Sequence, residues 1–180
     1  MVGRPQKPKP REFYRDGDIR FVEEGVPLPG GGFKTKGIVR HPGAVVIIPV
    51  DATGHLLVLR QYRHALGQWI VEFAAGTREL NEDPLQCAQR EIREECGVAA
   101  SDWGLLGILY ASPGFCDETQ HVYLARGLTP DRRPADDDEQ IEALRVSPAE
   151  FAEWIARGRV QDAKTLAAYA VWRGQGRTTK

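Results

Sequence analysis

Cysteine is scarce in this sequence. Its three cysteines, Cys87, Cys96 and Cys116, are odd in number and include no C-x-x-C pair. That argues against a disulfide framework or a zinc site and for reduced thiols in the core or in loops. The four histidines are scattered without paired ligand spacing, so packing or surface roles account for them. No apolar run is long enough to span a bilayer, and no apolar signal region follows the first residues. The expectation is a soluble, cytoplasmic protein with no membrane partner. Excess charge of one sign is missing too: the formal net charge is −1, and no basic stripe carries interleaved aromatics. A nucleic-acid polymer is therefore not the expected partner. Gly30-Gly31-Gly32 lacks the lysine and hydroxyl of a phosphate-binding loop and precedes no helix, so it reads as a hairpin loop.

What is present suits one domain with an extension, since 180 residues can bury one good core. Residues 1–10 are basic and proline-rich and read as a loose arm. Strands are expected at 19–26 and 33–39, forming with the arm a small N-terminal sheet over 1–40. The main body is expected over 41–173, followed by a tail over 174–180. Within the body, 44–50 is a continuous valine- and isoleucine-rich run that suits a strand buried on both faces. After an Asp51-Ala52-Thr53-Gly54 turn, 55–63 is expected to return as its partner. Further strands are expected at 69–73, 104–111, 120–125 and 141–146. Ser147-Pro148-Ala149-Glu150 is a capping-box start for a helix through Ala156, and 162–172 reads as a last helix. Strands outnumber dispersed helices, which gives an α+β layered fold class.

The most informative stretch is 76–98, GTRELNEDPLQCAQREIREECGV. Asp83 can cap a helix whose first position suits Pro84, and Gly97 is a natural stop. At about 100° per residue, Leu85, Ala88, Ile92 and Cys96 form one apolar stripe, with Glu91, Glu94 and Glu95 in an arc beside it and Arg90 flanking them. Three carboxylates so close repel one another unless a cation sits among them, and hard oxygen ligands suit Mg²⁺ or Mn²⁺. The competing reading of such a run is a solvated helix face. The spacing decides between them: Gly76, Glu82, Arg90-Glu91-Ile92, Glu94-Glu95 and Gly97-Val98 fill every fixed position of the Nudix box.

The chain therefore resembles a Nudix hydrolase. The order HPGAVVIIPV, LRQYR, WIVEFAAG, box, SPGF is similar to the ADP-ribose pyrophosphatase branch, and Pro113 stands sixteen residues past Gly97, where that branch carries a proline. Ala74-Ala75 departs slightly, since many relatives have proline before the alanine. The resemblance implies a mixed β-sheet flanked by helices (α/β/α), with a small N-terminal β extension. It implies a homodimer whose N-terminal sheets reach the partner's nucleoside site, where Phe13, Tyr14 or Phe21 would stack. It also implies Mg²⁺-dependent hydrolysis of ADP-ribose to AMP and ribose 5-phosphate, with GDP-mannose or UDP-glucose hydrolysis, or a ligand-sensing module without turnover, as alternatives.

The same resemblance assigns roles. Glu91, Glu94, Glu95 and the backbone carbonyl of Ala75 are the expected metal ligands, and Arg90 orients the carboxylates. Glu82 supports this network, binds metal through water, or is a turn residue. Glu139, in the Asp136-Asp137-Asp138-Glu139 loop, is the expected general base, with Glu142 and Glu118 as alternatives. Substrate contacts are expected from Arg63, Glu72, Phe115 and Glu118. Arg63 suits phosphate oxygens through its guanidinium fork.

Overall fold

A computed structural model describes residues 6–134 and 140–175. The chain divides into two compact units, one of Met1–Gly43 with Tyr110–Thr119, the other of Ala44–Leu109 with Gln120–Lys180. In the first, β1 (Arg11–Asp16), β2 (Ile19–Pro27) and β3 (Phe33–Arg40) form an antiparallel sheet in that order. The β2–β3 turn is closed by Leu28 N donating to Gly32 O at 3.1 Å. Gly31 and Gly32 there take φ of 89° and 82°, open to glycine without steric cost. The end of β3 is tied to the Ser112-Pro113-Gly114-Phe115 segment, since Val39 N donates to Phe115 O at 2.8 Å. Arg40 reaches Glu24 at 2.7 Å and Asp117 at 2.9 Å.

The second unit is built on β4 (Ala44–Pro49), every residue of which is buried. It lies in a four-stranded sheet with β7 (Ala74–Thr77), β8 (Val98–Tyr110) and β9 (Thr119–Pro130), ordered β7-β4-β9-β8. β9 runs parallel to β4 and β7 antiparallel, so the sheet is mixed. Alternate side chains of β4 feed two cores. Val45 and Ile47 pack with Cys87, Ala88 and Ile92 of α1 (Pro84–Glu95). Val46 and Ile48 pack with Phe73, with Phe151 of α2 (Pro148–Ala156) and with Ala168 of α3 (Ala163–Gln175). Each fully buried Val, Ile or Phe contributes about 1.5–3 kcal/mol. A second sheet is ordered β10-β5-β6, from β10 (Ile141–Val146), β5 (Leu56–Arg63) and β6 (Gln68–Glu72). This is the α+β arrangement of mixed sheet and flanking helices that the sequence implied. No described helix is long and apolar enough to cross a membrane.

Two sequence expectations need correction. The segment 55–63 is not the partner of β4. Only one bridge, Val50 with Leu56, joins them. Asp51 Oδ1 accepts from Thr53 N at 2.8 Å and His55 N at 2.9 Å, and Arg145 Nε pairs with its Oδ2 at 2.6 Å. This corner turns the chain into the second sheet, and β7 takes the place beside β4. β7 itself is invisible to propensity, because Ala-Ala-Gly-Thr is a poor strand sequence. β8 also starts six residues earlier than expected, because Gly97, at φ 69°, lets the chain leave α1 directly into a strand.

Candidate active site

Helix α1 presents the box carboxylates, and its ends fix their height against β7. Asp83 caps the start by accepting from Leu85 N at 2.9 Å and Gln86 N at 3.3 Å, with Pro84 in the first turn. Ala88 and Ile92 are fully buried, and Glu91 and Glu95, one turn apart, are buried as well. Glu95 Oε2 accepts from Ala75 N at 2.9 Å. Glu91 lies over Gly76: a Cβ on that glycine would stand 1.9 Å from the Glu91 carboxyl carbon. The box glycine thus leaves the space that the Glu91 carboxyl occupies, and a larger residue there would have to displace it.

Arg90 gathers the remaining box acids. Its Nη1 donates to Glu91 Oε1 at 2.6 Å and Glu94 Oε2 at 3.1 Å. Its Nε and Nη2 fork onto Glu82 at 3.1 and 3.2 Å. Burial works against the charge of Arg90, yet the bonds to Glu82 and the charge of Glu91 hold its guanidinium protonated above its ordinary value. Burial likewise tends to raise the Glu82 carboxyl, but the Arg90 fork outweighs it and holds Glu82 below its ordinary 4.5. Arg78 Nε adds a bond to Glu82 O at 3.0 Å. Cys87 lies beside this group, 3.5 Å from Arg90 Nη2, and burial plus the Glu91 charge push its thiol well above its ordinary value.

A second charged cluster stands at the end of β6. Glu72 is fully buried and accepts from Arg63 Nε and Nη2, both at 2.8 Å, in a parallel fork. Lys164 Nζ bonds to the same Glu72 Oε2 and pairs with Asp162 Oδ2 at 3.1 Å. Asp162 caps α3, accepting from Thr165 N at 2.9 Å and Thr165 Oγ1 at 2.6 Å. Thr165 Oγ1 in turn accepts from Phe73 N at 2.9 Å, the amide released where the chain passes from β6 to β7. Burial opposes the Arg63 charge, but the Glu72 fork holds its guanidinium above its ordinary value. The first turn of α3 thus grips the two residues that lead into Ala75 and Gly76.

The structure brings Arg90, Glu91, Glu94, Glu95, Glu82 and the Ala75 backbone together, and it pairs Arg63 with Glu72. Glu142 pairs with Arg60 at 2.9 Å on the second sheet. Phe115 and Glu118 belong to the other unit, where Phe115 is exposed. Glu139 lies outside the described residues. Among the described residues, no group of three or more His, Cys, Asp or Glu side chains is drawn in closely enough to hold a metal ion alone. The donors nevertheless fit Mg²⁺ by type: carboxylates and a main-chain carbonyl are hard oxygens, and Mg²⁺ ordinarily takes one or two carboxylates plus water and substrate phosphates. Sequence reasoning missed Asp162, Lys164 and Thr165. Asp162 before a helical run is a readable cap, but nothing in the spacing links Lys164 to Glu72, 92 residues away.

Known proteins match this chain over most of its length. The sequence profile of the NUDIX domain matches residues 39–169. The ADP-ribose pyrophosphatase of Bacillus subtilis (strain 168) is 39% identical over 155 residues, covering 85% of this chain and 83% of that protein. The methanol dehydrogenase activator of Bacillus methanolicus is 35% identical over 162 residues, covering 89% and 88%. In fold, a crystal structure of an ADP compounds hydrolase superimposes with a TM-score of 0.82 at 22% identity, covering 99% of each chain.

Proposed function

The chain belongs to the Nudix family of hydrolases, and from that footing we propose that it splits the pyrophosphate bond of ADP-ribose. Water adds across the P–O–P linkage, and the products are AMP and ribose 5-phosphate. The observation that carries this reading is the box geometry: Glu91 and Glu95 are buried against β7 while Arg90 is shared among Glu82, Glu91 and Glu94. Such a concentration of carboxylates suits a pyrophosphate enzyme working with a divalent cation. Glu91, Glu94, Glu95 and the carbonyl of Ala75 would hold Mg²⁺, with Mn²⁺ as a substitute. The ion supplies charge neutralisation for the phosphates and makes water more acidic.

The chain's own groups do the rest. Arg90 keeps the carboxylates of Glu91 and Glu94 in register on the helix. Arg63 binds phosphate or ribose oxygens through the nitrogen that the Glu72 fork does not use, and Glu139 takes the proton from the attacking water. Exposed Phe13, Phe21 and Phe115 line an apolar recess of about 170 Å³ in the first unit, which supports a role for that sheet in a homodimer and in nucleoside stacking. Three free thiols suit a reducing compartment and support a cytoplasmic location.

The test is a product assay with Mg²⁺ comparing ADP-ribose, GDP-mannose and UDP-glucose, with Glu94→Gln/Glu95→Gln as the blank. The expected result is preferred release of AMP from ADP-ribose and a loss of about a thousandfold in the blank, since metal-assisted charge stabilisation is worth several kcal/mol. Preference for another sugar nucleotide would keep the chemistry and change the substrate. Binding of ADP-ribose without turnover would make the chain a sensing module.

A further inference from the structure

The cluster at the end of β6 holds a cation that the reaction described above leaves without a task. Arg63 and Glu72 already form a complete fork with matched charge. Lys164 is a second, largely buried cation on the same carboxylate, 16% exposed and delivered from the first turn of α3. Burying an ammonium costs desolvation, so a pair that was already satisfied gains little stability from it. Its consequence falls on Arg63. Arg63, 36% of whose side chain is accessible, shares that carboxylate with Lys164, whose own charge is met by Asp162. The sharing also fixes the carboxylate plane, and with it the plane of the fork, because Oε2 is held by both Arg63 Nη2 and Lys164 Nζ. Nη1 takes no part in that fork.

We propose that Lys164 is a positioning residue for the substrate. By holding Glu72 from the α3 side, it sets the orientation with which Arg63 meets the anionic oxygens of a nucleoside diphosphate sugar. The proposal rests on the reading of Arg63 as a substrate contact. Lys164 touches neither substrate nor metal and acts through Glu72. Its own counter-ion, Asp162, is held by Thr165 and by the cap of α3, so the ammonium is placed by the helix and not by the ligand.

The experiment is steady-state kinetics with ADP-ribose for Arg63→Gln, Lys164→Met, Lys164→Arg and the double variant Arg63→Gln/Lys164→Met, with thermal unfolding followed in parallel. Lys164→Met is expected to raise KM about tenfold with kcat within about twofold, because residues in one charged network couple on that scale. Lys164→Arg, which keeps the charge, should restore most of the loss. The double variant should be no worse than Arg63→Gln alone, because both changes act through one contact. If Arg63→Gln raises KM while folded Lys164→Met stays within twofold of the parent, Lys164 is structural only and the proposal falls while the Arg63 reading stands. If Arg63→Gln leaves KM unchanged, the reading of Arg63 falls and takes the proposal with it. Should Lys164→Met not fold, Lys164→Gln, which keeps a polar atom against Asp162, carries the same expectations.

Discussion

Two clusters of charge in the second unit are filled on opposite principles. At the end of β6, cations and carboxylates are matched, Arg63 and Lys164 against Glu72 and Asp162. In the box, Glu82 in the turn before α1 and Glu91 and Glu94 on the helix share the guanidinium of Arg90, and Glu95 takes a backbone amide. The matched cluster is centred on the fully buried Glu72 and knits β6 to α3, with Arg63 reaching the surface. The box cluster brings four carboxylates close together around Arg90, an arrangement to which the proposed divalent cation would be suited. In the proposed reading, the box cluster is where the cation would sit and the chemistry would take place. The balanced cluster ties β6 to α3 and leaves the outer side of Arg63 open.

The contrast breaks most sharply when one carboxylate is neutralised in each cluster. Glu72→Gln leaves two cations on one partner in a buried place, at a cost of about 3 kcal/mol. In a chain of this length that lowers Tm by roughly 6–12 °C. Glu94→Gln relieves repulsion in the box cluster, and its Tm in chelator should equal or exceed that of the parent even though turnover collapses. Differential scanning calorimetry of both variants with EDTA measures this. A Tm loss of similar size in both would erase the distinction between the two clusters.

A smaller effect comes from crowding the box without changing any charge. Gly76→Ala places a methyl group 1.9 Å from the Glu91 carboxyl carbon and forces that side chain to move. Overpacking of this kind costs about 1–3 kcal/mol. Turnover should fall by about a hundredfold, since a misplacement of about 1 Å at a reacting centre has that effect. Kinetics and Tm measured together decide the matter. Near-parental turnover would show that Glu91 reaches its working position by another route.

How much of this was legible in the sequence follows from how local each feature is. The helix of the box was readable end to end, because Asp83, Pro84, Ile92 and Gly97 act within a turn or two of themselves. The double-sided burial of β4 was readable because a run of valine and isoleucine has no polar face to expose. The neighbours of β4 were not. β7 carries no propensity signal, and its place depends on a corner at Asp51 that is completed by Arg145, 94 residues away. Arg63 and Glu72 could be singled out one at a time. Their mutual fork, and Lys164 behind it, arise only when β5, β6 and α3 meet. Short-range chemistry was on the page, and long-range pairing was not.

The smallest expected effect sharpens the comparison inside the box itself. Glu82 belongs to the box cluster, yet it alone receives the full fork of Arg90 and is held below its ordinary 4.5 despite burial. A carboxyl whose folded pKa is depressed contributes stability that is present above its unfolded value and lost as pH falls through the folded one. Glu82 therefore stabilises the protein at neutral pH and ceases to do so in acid. Glu82→Gln should lower Tm by roughly 2–4 °C at pH 7, about 1 kcal/mol for a chain of this length. The gap to the parent should narrow as pH falls below 4.5 and go on shrinking as the folded carboxyl takes up its proton. Circular-dichroism melts of both proteins at pH 7, 5 and 3 measure that gap. A gap that persists unchanged at pH 3 would mean that Glu82 acts through its shape and not its charge, and would move it out of the electrostatic frame around Arg90.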